Sequence, residues 1–184
     1  MPEPHSESGS PAEGEHDEHD PEARARIVCL RMLATAPRTR AQLAEALQRR
    51  GIDDRVAETV LGRFGEVGLI DDEAFAAAWV ESRHTGRGLG RRALAAELRR
   101  RGVAAETVQA AVDDLSADRE EQTARELVRR KLAATQGKDD AVRVRRVMGM
   151  LARRGFPGGT AYRLVREELE AEGSDLELPD PDLG

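Results

Sequence analysis

The sequence is poor in the residues that build large cores, disulfides and membrane spans. Aromatic residues make up 3% of its 184 residues, which excludes a large aromatic core and favours narrow Leu, Val and Ala stripes on helices. The single cysteine, Cys29, excludes an internal disulfide, and its apolar neighbours predict a buried, unreactive thiol. No run approaches the roughly 20 consecutive apolar residues that a membrane span needs.

The amino-terminal segment also lacks what a secretion signal requires. It is acidic and contains no apolar stretch, whereas a secretory signal has a basic start followed by an apolar region. Together with the absence of a membrane span, this composition predicts a cytoplasmic protein with no membrane partner.

The net charge of −6 hides a strong segregation of charge along the chain. Residues 1–23 carry eight acidic residues and residues 170–184 carry six, and neither segment has a Lys or Arg. Between them, residues 24–169 hold 29 basic and 21 acidic residues, a net charge of +8. We expect residues 1–21 and 171–184 to be disordered acidic tails. The basic body suits nucleic acid or an acidic partner.

Between the tails the apolar spacing is that of helices, and no alternating strand pattern is present. Thr39 and Gln42 form a capping box, and Asp53 and Asp71 are suited to begin further helices. These signals predict nine helices, near residues 22–35, 39–50, 53–66, 71–84, 90–101, 104–115, 117–134, 139–154 and 158–170.

A threefold repeat organises these helices. When the chain is aligned on Gly51, Gly102 and Gly155, apolar residues lie eight and four positions before each glycine, with Arg-Arg immediately before it. An arginine-rich last turn followed by glycine is typical of a left-handed helix C-cap. Leu98 occupies the position four before the glycine, so we expect it to be buried.

The period of about 50 residues predicts an all-α fold. We expect three tandem three-helix repeats forming an elongated curved array, with disordered acidic tails. The expected bounds of the repeats are 22–67, 68–115 and 116–170.

The densest run of arginines in the chain lies in the second repeat. Residues 87–101 contain six arginines and one acidic residue, Glu97, which is more positive charge than helix ends require. Charge at helix ends and solvated faces explain about half of the residues in the Arg-Arg pairs that recur along the chain. The planar guanidinium suits phosphate or carboxylate. The candidate partner-binding or nucleic-acid-binding residues are Arg87, Arg91, Arg92, Arg99, Arg100, Arg101, Arg145, Arg146, Arg153 and Arg154.

Other possible sites have simpler interpretations. The glycine-rich segment 86–91 follows a predicted helix and lacks the Gly-Lys-Ser/Thr ending of a phosphate loop, so we predict a flexible basic linker. His84 beside it is interpreted as a surface residue. Phe75 and Trp79, four positions apart, are interpreted as core residues rather than base-stacking platforms.

No arrangement of residues indicates catalysis. We find no paired carboxylates, metal-ligand cluster or Ser/His/Asp arrangement, so we predict no enzyme activity, no cofactor and no small-molecule substrate. The irregular spacing of the tail histidines favours a solvated tail over a metal site; they are His5, His16 and His19.

Three segments of the chain resemble the RecX family. Residues 68–83 carry Gly, Asp-Asp-Glu, Phe-Ala and a Ser-Arg helix end, residues 88–103 carry the basic, Leu, Glu-Leu, basic and Gly-Val pattern, and residues 151–156 resemble the third repeat. The departures are Leu69, where an aromatic residue is usual, and Leu89, where proline or a small residue is common.

The resemblance implies a regulator of DNA recombination, DNA repair and the SOS response. It also implies that the protein binds along the groove of the RecA–DNA filament, alters the stability of the filament and lowers the recombinase, ATPase and co-protease activities of RecA. Single-stranded DNA is a further candidate partner, and we expect a monomer.

Two other functions remain open on the sequence alone. Residues 39–70 could form a helix-turn-helix of a DNA-binding transcription regulator, but such a domain would continue into a β-hairpin wing where Asp71, Asp72 and Glu73 begin another helix. A helical adaptor with no nucleic-acid role is disfavoured by the basic body.

Overall fold

The structure is a computed structural model that describes residues 20–173. The acidic tails expected at residues 1–21 and 171–184 lie outside this range, apart from the few residues that border the first and last helices. Pro21 and Ala171 are described and belong to helices.

Over the described range the chain forms nine helices and no strand. Each helix end lies within three residues of its predicted position, which confirms the all-α prediction. Because α4 begins directly after Asp71, there is no room for the wing that the helix-turn-helix alternative requires. The helices are α1 (Pro21–Thr35), α2 (Arg40–Gln48), α3 (Asp54–Glu66), α4 (Asp72–Arg87), α5 (Arg91–Arg100), α6 (Ala105–Asp113), α7 (Ala117–Ala133), α8 (Asp140–Arg153) and α9 (Gly158–Ala171).

The helices fall into two compact units, residues 1–71 and residues 72–184. In the first unit α1, α2 and α3 pack against one another and form repeat 1. Its core contains Leu47, Leu61 and the fully buried Cys29. Burial raises the pKa of the Cys29 thiol, which fits the predicted unreactive cysteine.

The second unit holds two further three-helix repeats. Repeat 2 consists of α4, α5 and α6, and repeat 3 consists of α7, α8 and α9. Leu98 is fully buried at the centre of repeat 2, as predicted, and Leu151 holds the matching place in repeat 3. The apolar stripes therefore build one small aliphatic core in each repeat.

The helix ends follow the predicted signals. Thr39 and Gln42 form the complete capping box, and the side chain of Asp53 caps α3. The three repeat glycines have φ values of 71°, 78° and 81° for Gly51, Gly102 and Gly155. After each glycine, the next amide donates to the carbonyl of the buried leucine, at 3.1 to 3.2 Å. This is the left-handed C-cap expected from the sequence.

No helix among residues 20–173 combines the length and apolar character needed to cross a bilayer.

Candidate partner-binding surface

The arginine immediately before each repeat glycine, the second of its Arg-Arg pair, contacts other groups within the protein. Arg50 donates to a carbonyl one turn earlier in its own helix, at 3.0 Å. Arg101 lies over the ring of Trp79, with the guanidinium carbon 3.7 Å from the ring centroid. Arg154 donates to the carbonyl oxygen of Arg87. This recurring arginine therefore has a structural role, and Arg101 and Arg154 are weaker candidates for partner binding.

The first arginine of each pair is exposed. In repeat 1, Arg49 forms an ion pair with Glu45 at 2.6 Å. Arg100 and Arg153, at the same position in repeats 2 and 3, have no carboxylate within ion-pair distance among residues 20–173. Their charges are therefore available for a partner.

Two helices of the second unit carry outward faces of such arginines. On α5 and α8 the exposed arginines are spaced so that they share one side of each helix. None of them forms an ion pair within the described part of the chain. They are Arg92, Arg99 and Arg100 on α5, and Arg145, Arg146 and Arg153 on α8.

The side of repeat 3 formed by α7 and α9 is different, because its arginines are neutralised. Hydrogen bonds from Arg163, and less strongly from Arg125, hold the pKa of Glu121 below its usual value. The pKa of Glu167 is lowered by the same two arginines, with Arg125 the stronger of them. The arginines between α7 and α9 are thus paired, whereas Arg145, Arg146 and Arg153 on α8 have no ion pair within the described residues. The ion pairs are Arg125–Glu167 (2.8 Å), Arg129–Glu168 (2.9 Å) and Arg163–Glu121 (2.6 Å).

Arg91 is held between repeats 2 and 3. Its backbone amide donates to Glu120 Oε1 at 2.8 Å, and its Nε lies 3.5 Å from Glu120 Oε2. Its guanidinium also donates to the carbonyl oxygen of Leu115. The residue connects the start of α5 to the start of α7, so its replacement would disturb the fold as well as any partner contact.

The interpretation of His84 as a surface residue is wrong. It is 2% exposed, and Nδ1 lies 2.9 Å from the carbonyl oxygen of Leu89. Because a carbonyl oxygen only accepts, Nδ1 donates to it, and Nε2 lies within hydrogen-bond distance of Thr123 Oγ1, at 2.9 Å. Helix α4 extends to Arg87, which turns position 84 inward, and the buried spacing Ala76, Val80, His84 was a signal for this.

The prediction of a flexible linker at residues 86–91 is also wrong. Gly86 and Arg87 belong to α4, and Gly90 is buried with its amide donating to the carbonyl of Arg154 at 2.8 Å. A Cβ at Gly90 would lie 2.8 Å from the carbonyl oxygen of Gly155. The glycine therefore serves close backbone packing between repeats 2 and 3, and not mobility.

Phe75 and Trp79 pack against the core of repeat 2, although each is half-buried. Their rings stack with centroids 5.7 Å apart, and Trp79 Nε1 donates to Glu97 at 2.9 Å. Arg83 also lies over the indole, 4.2 Å from its centroid. Trp79 is thus used inside the repeat, as expected, and is not an open platform for bases.

Among residues 20–173 no group of three or more His, Cys, Asp and Glu side chains is placed to hold a metal ion. The tail histidines His5, His16 and His19 lie outside the described residues.

Three family models match the chain, one for each repeat. Residues 25–64 match "RecX, first three-helix domain", residues 71–112 match "RecX, second three-helix domain", and residues 118–165 match "RecX, third three-helix domain". The three matches together span most of the described chain and follow the repeat order.

Similar proteins carry the same family name. The "Regulatory protein RecX" of Thermobifida fusca is 68% identical over 162 residues, which cover 88% of each chain. The protein of that name in Streptomyces coelicolor is 58% identical over 170 residues, covering 92% of this chain and 90% of that protein.

Solved structures agree on the fold. A crystal structure of RecX from Lactobacillus salivarius aligns with a TM-score of 0.75 at 15% identity, covering 80% of this chain and 96% of that chain. A second crystal structure of regulatory protein RecX aligns at 0.71 with 21% identity, covering 80% and 72%. With its repeat glycines, the nine helices of its described part and these relatives, the chain belongs to the RecX family of regulatory proteins.

Proposed function

We propose that this protein binds RecA–DNA filaments and lowers the recombinase, ATPase and co-protease activities of RecA. The observation that carries the proposal is the exposed arginine face of α5, which has no ion pair among residues 20–173, in a chain of this family, together with the corresponding face of α8 in repeat 3. The action is one of binding and requires no reaction step. A cytoplasmic, monomeric protein is part of the same proposal.

Energetics favour a contact shared among many side chains. An exposed ion pair contributes only about 0–1 kcal/mol, so no single arginine can hold a filament. Contacts made by successive repeats add through effective concentration once the first has formed. The same positive faces also raise the association rate with an acidic surface, and this effect weakens as salt is added.

The test reverses the charge of one face and compares it with a matched control. Arg92, Arg99 and Arg100 are changed to Glu together, while Arg91 is left intact because it connects repeats 2 and 3. The control changes three exposed arginines of repeat 1 that have no ion pair within the described residues. These are Arg24, Arg31 and Arg55, and their replacement by Glu gives the same change in net charge.

Loss of three contacts of about 0.5 kcal/mol each corresponds to roughly tenfold weaker binding, and repulsion adds to it. We expect the α5 variant to stay folded, to bind filaments at least that much more weakly and to lose inhibition of RecA ATP hydrolysis. The repeat 1 control should inhibit like the parent. A folded α5 variant that inhibits like the parent would exclude this face as the interface.

A further inference from the structure

A pocket of about 900 Å³ opens between repeats 2 and 3, within the second unit. Its volume lies at the upper end of the range of about 300–1,000 Å³ found for ligand sites. One wall is the end of α4 with the segment that follows it, residues 84–89, and a second wall is one face of α7. The end of α8 closes the third side through Met150, Arg153 and Arg154.

The lining of this pocket is strongly basic. Of the residues that line it within the described chain, five are arginines and one, Glu126, is acidic. The carboxylate of Glu126 accepts from the side-chain amide of Gln122 at 3.1 Å. The five arginines are Arg87, Arg119, Arg130, Arg153 and Arg154.

Two of the five arginines already have partners. Arg119 donates through both terminal nitrogens to the carboxylate of Glu81, each at 2.7 Å. Arg154 donates to the Arg87 carbonyl, which satisfies the end of α4. These two side chains hold repeats 2 and 3 together and shape the pocket.

The other three arginines have no counter-ion in the part of the chain that the structure describes. Arg87, Arg130 and Arg153 are exposed, and none has a carboxylate within ion-pair distance among residues 20–173. On the same helix as Arg130, the neighbouring Arg129 is paired with Glu168 at 2.9 Å. Arg129 on one face of α7 is therefore ion-paired, whereas Arg130 on the pocket face is not, although Glu126 lines the same pocket.

The pattern has a physical cost that folding alone does not explain. Like charges that face one concavity repel each other, and a low-dielectric wall strengthens the repulsion. Helix C-termini favour cations, but Arg154 already satisfies the end of α4 by a direct hydrogen bond. An anionic ligand would remove the repulsion, and a pocket of this volume has room for more than one anionic group.

The chemistry of the lining favours phosphate on a nucleic-acid strand. Guanidinium groups match phosphate oxygens in a bidentate way. No Phe, Tyr or Trp side chain is among the described residues that line the pocket, and His84 is only 2% exposed, so bases have no exposed ring to stack on. A peptide would need an apolar anchor, and only Leu89 and Met150 could offer one. A single strand can bend into a concavity, whereas the phosphates of a duplex lie on a stiff convex surface.

We propose that the repeat 2–3 pocket binds successive phosphates of single-stranded nucleic acid through Arg87, Arg130 and Arg153. Binding there is independent of base sequence. The inference goes beyond the filament proposal, because it concerns a direct contact that needs no RecA.

The experiment uses the full chain without RecA and a fluorescent oligothymidylate, with anisotropy measured over a salt series. Arg87, Arg130 and Arg153 are changed to Gln together, which removes the charge and keeps most of the side-chain length. The matched control removes the same charge from exposed, unpaired arginines of the same two repeats that do not line the pocket: Arg99, Arg100 and Arg145. Circular dichroism melting verifies that both variants are folded.

Each phosphate contact on a single strand contributes about 0.7 to the slope of log K against log salt. The pocket variant should therefore lose about 2 from the slope and bind at least tenfold more weakly at low salt. The control should keep the greater part of both. Inorganic tripolyphosphate should compete with the strand for the parent protein and not for what remains in the pocket variant.

Three results would overturn the proposal. These are equal weakening in both variants, an unchanged pocket variant, and a parent that is blocked by polyglutamate at concentrations where tripolyphosphate has no effect. A pocket variant that no longer binds the strand but still inhibits RecA would leave the filament proposal standing. The two proposals can therefore fail separately.

Discussion

Replacing Gly155 by alanine should destabilise the second unit far more than the same change at the matching glycine of repeat 1. Gly51 and Gly155 share the left-handed backbone, with φ of 71° and 81°. A Cβ at Gly51 would meet nothing within 4 Å, whereas a Cβ at Gly155 would lie 2.2 Å from the Ala93 amide nitrogen and 2.6 Å from its Cβ. Comparison of Gly51→Ala with Gly155→Ala therefore separates the cost of backbone strain from the cost of steric contact.

The expected magnitudes follow from these two terms. A left-handed non-glycine residue costs about 1–2 kcal/mol, which is the whole effect expected for Gly51→Ala. Gly155→Ala adds overpacking of about 1–3 kcal/mol, because the nearest atoms include the backbone nitrogen of Ala93, which is held in the first turn of α5. The total for Gly155→Ala is about 2–5 kcal/mol. If the backbone near Gly155 moves away from Ala93, the hydrogen bond from the Gly90 amide to the Arg154 carbonyl is also weakened.

The assay is urea unfolding followed by two signals. Trp79 is the single tryptophan of the chain and lies in the second unit, so its fluorescence reports on the unit that contains Gly155. With a slope of about 2 kcal/mol per molar urea, the midpoint for Gly155→Ala should fall by about 1–2.5 M. Circular dichroism should show a shift roughly half as large for Gly51→Ala. Equal shifts would mean that the contact with Ala93 relaxes at no cost and would refute the reasoning.

Three other changes test further parts of the structure. Leu98→Ala should cost about 2–5 kcal/mol in urea unfolding, since the side chain is fully buried; unchanged stability would contradict its core position. Hydrogen bonds from Arg119 and then Thr85 lower the pKa of Glu81 from 4.5 to about 2. The stabilisation is therefore present above pH 4.5 and lost as the pH falls towards 2. Over this interval the melting temperature of the parent should fall further than that of Glu81→Gln. Parallel curves of melting temperature against pH would show that the Glu81–Arg119 ion pair does not stabilise the fold. A shortened chain of residues 20–173 loses ten acidic residues of the full chain but keeps every Lys and Arg. It should therefore bind single-stranded DNA more tightly than the full chain and with a steeper dependence on salt. Equal affinity at low salt would exclude shielding by the tails.

The helices and the repeat could be predicted from sequence because their causes are local. The capping box of Thr39 and Gln42 acts over three residues, and the leucine at position 98 lies one turn before the glycine that ends its helix. Apolar spacing, caps and left-handed glycines all operate within about one or two turns. The nine helix positions followed from these signals, with errors confined to their ends.

The environment of His84 and Gly90 could not be predicted in this way. The hydrogen-bond partner of His84 on α7 is Thr123, 39 residues further along the chain. The backbone that packs against Gly90 is that of Gly155, in the next repeat. The same glycines are compatible with a flexible linker and with a tight backbone contact, and only the packing of repeat 3 against repeat 2 distinguishes the two.

The sequence by itself determined that the body of this protein is basic, helical and threefold repeated, because composition and periodicity are properties of the chain. The tertiary structure decided which arginines form ion pairs and which do not. Arg129 and Arg130 are adjacent and identical in type, yet Arg129 meets Glu168 and Arg130 lines the pocket. An ion pair forms between atoms within a few ångströms, and that distance depends on how α7 and α9 pack together.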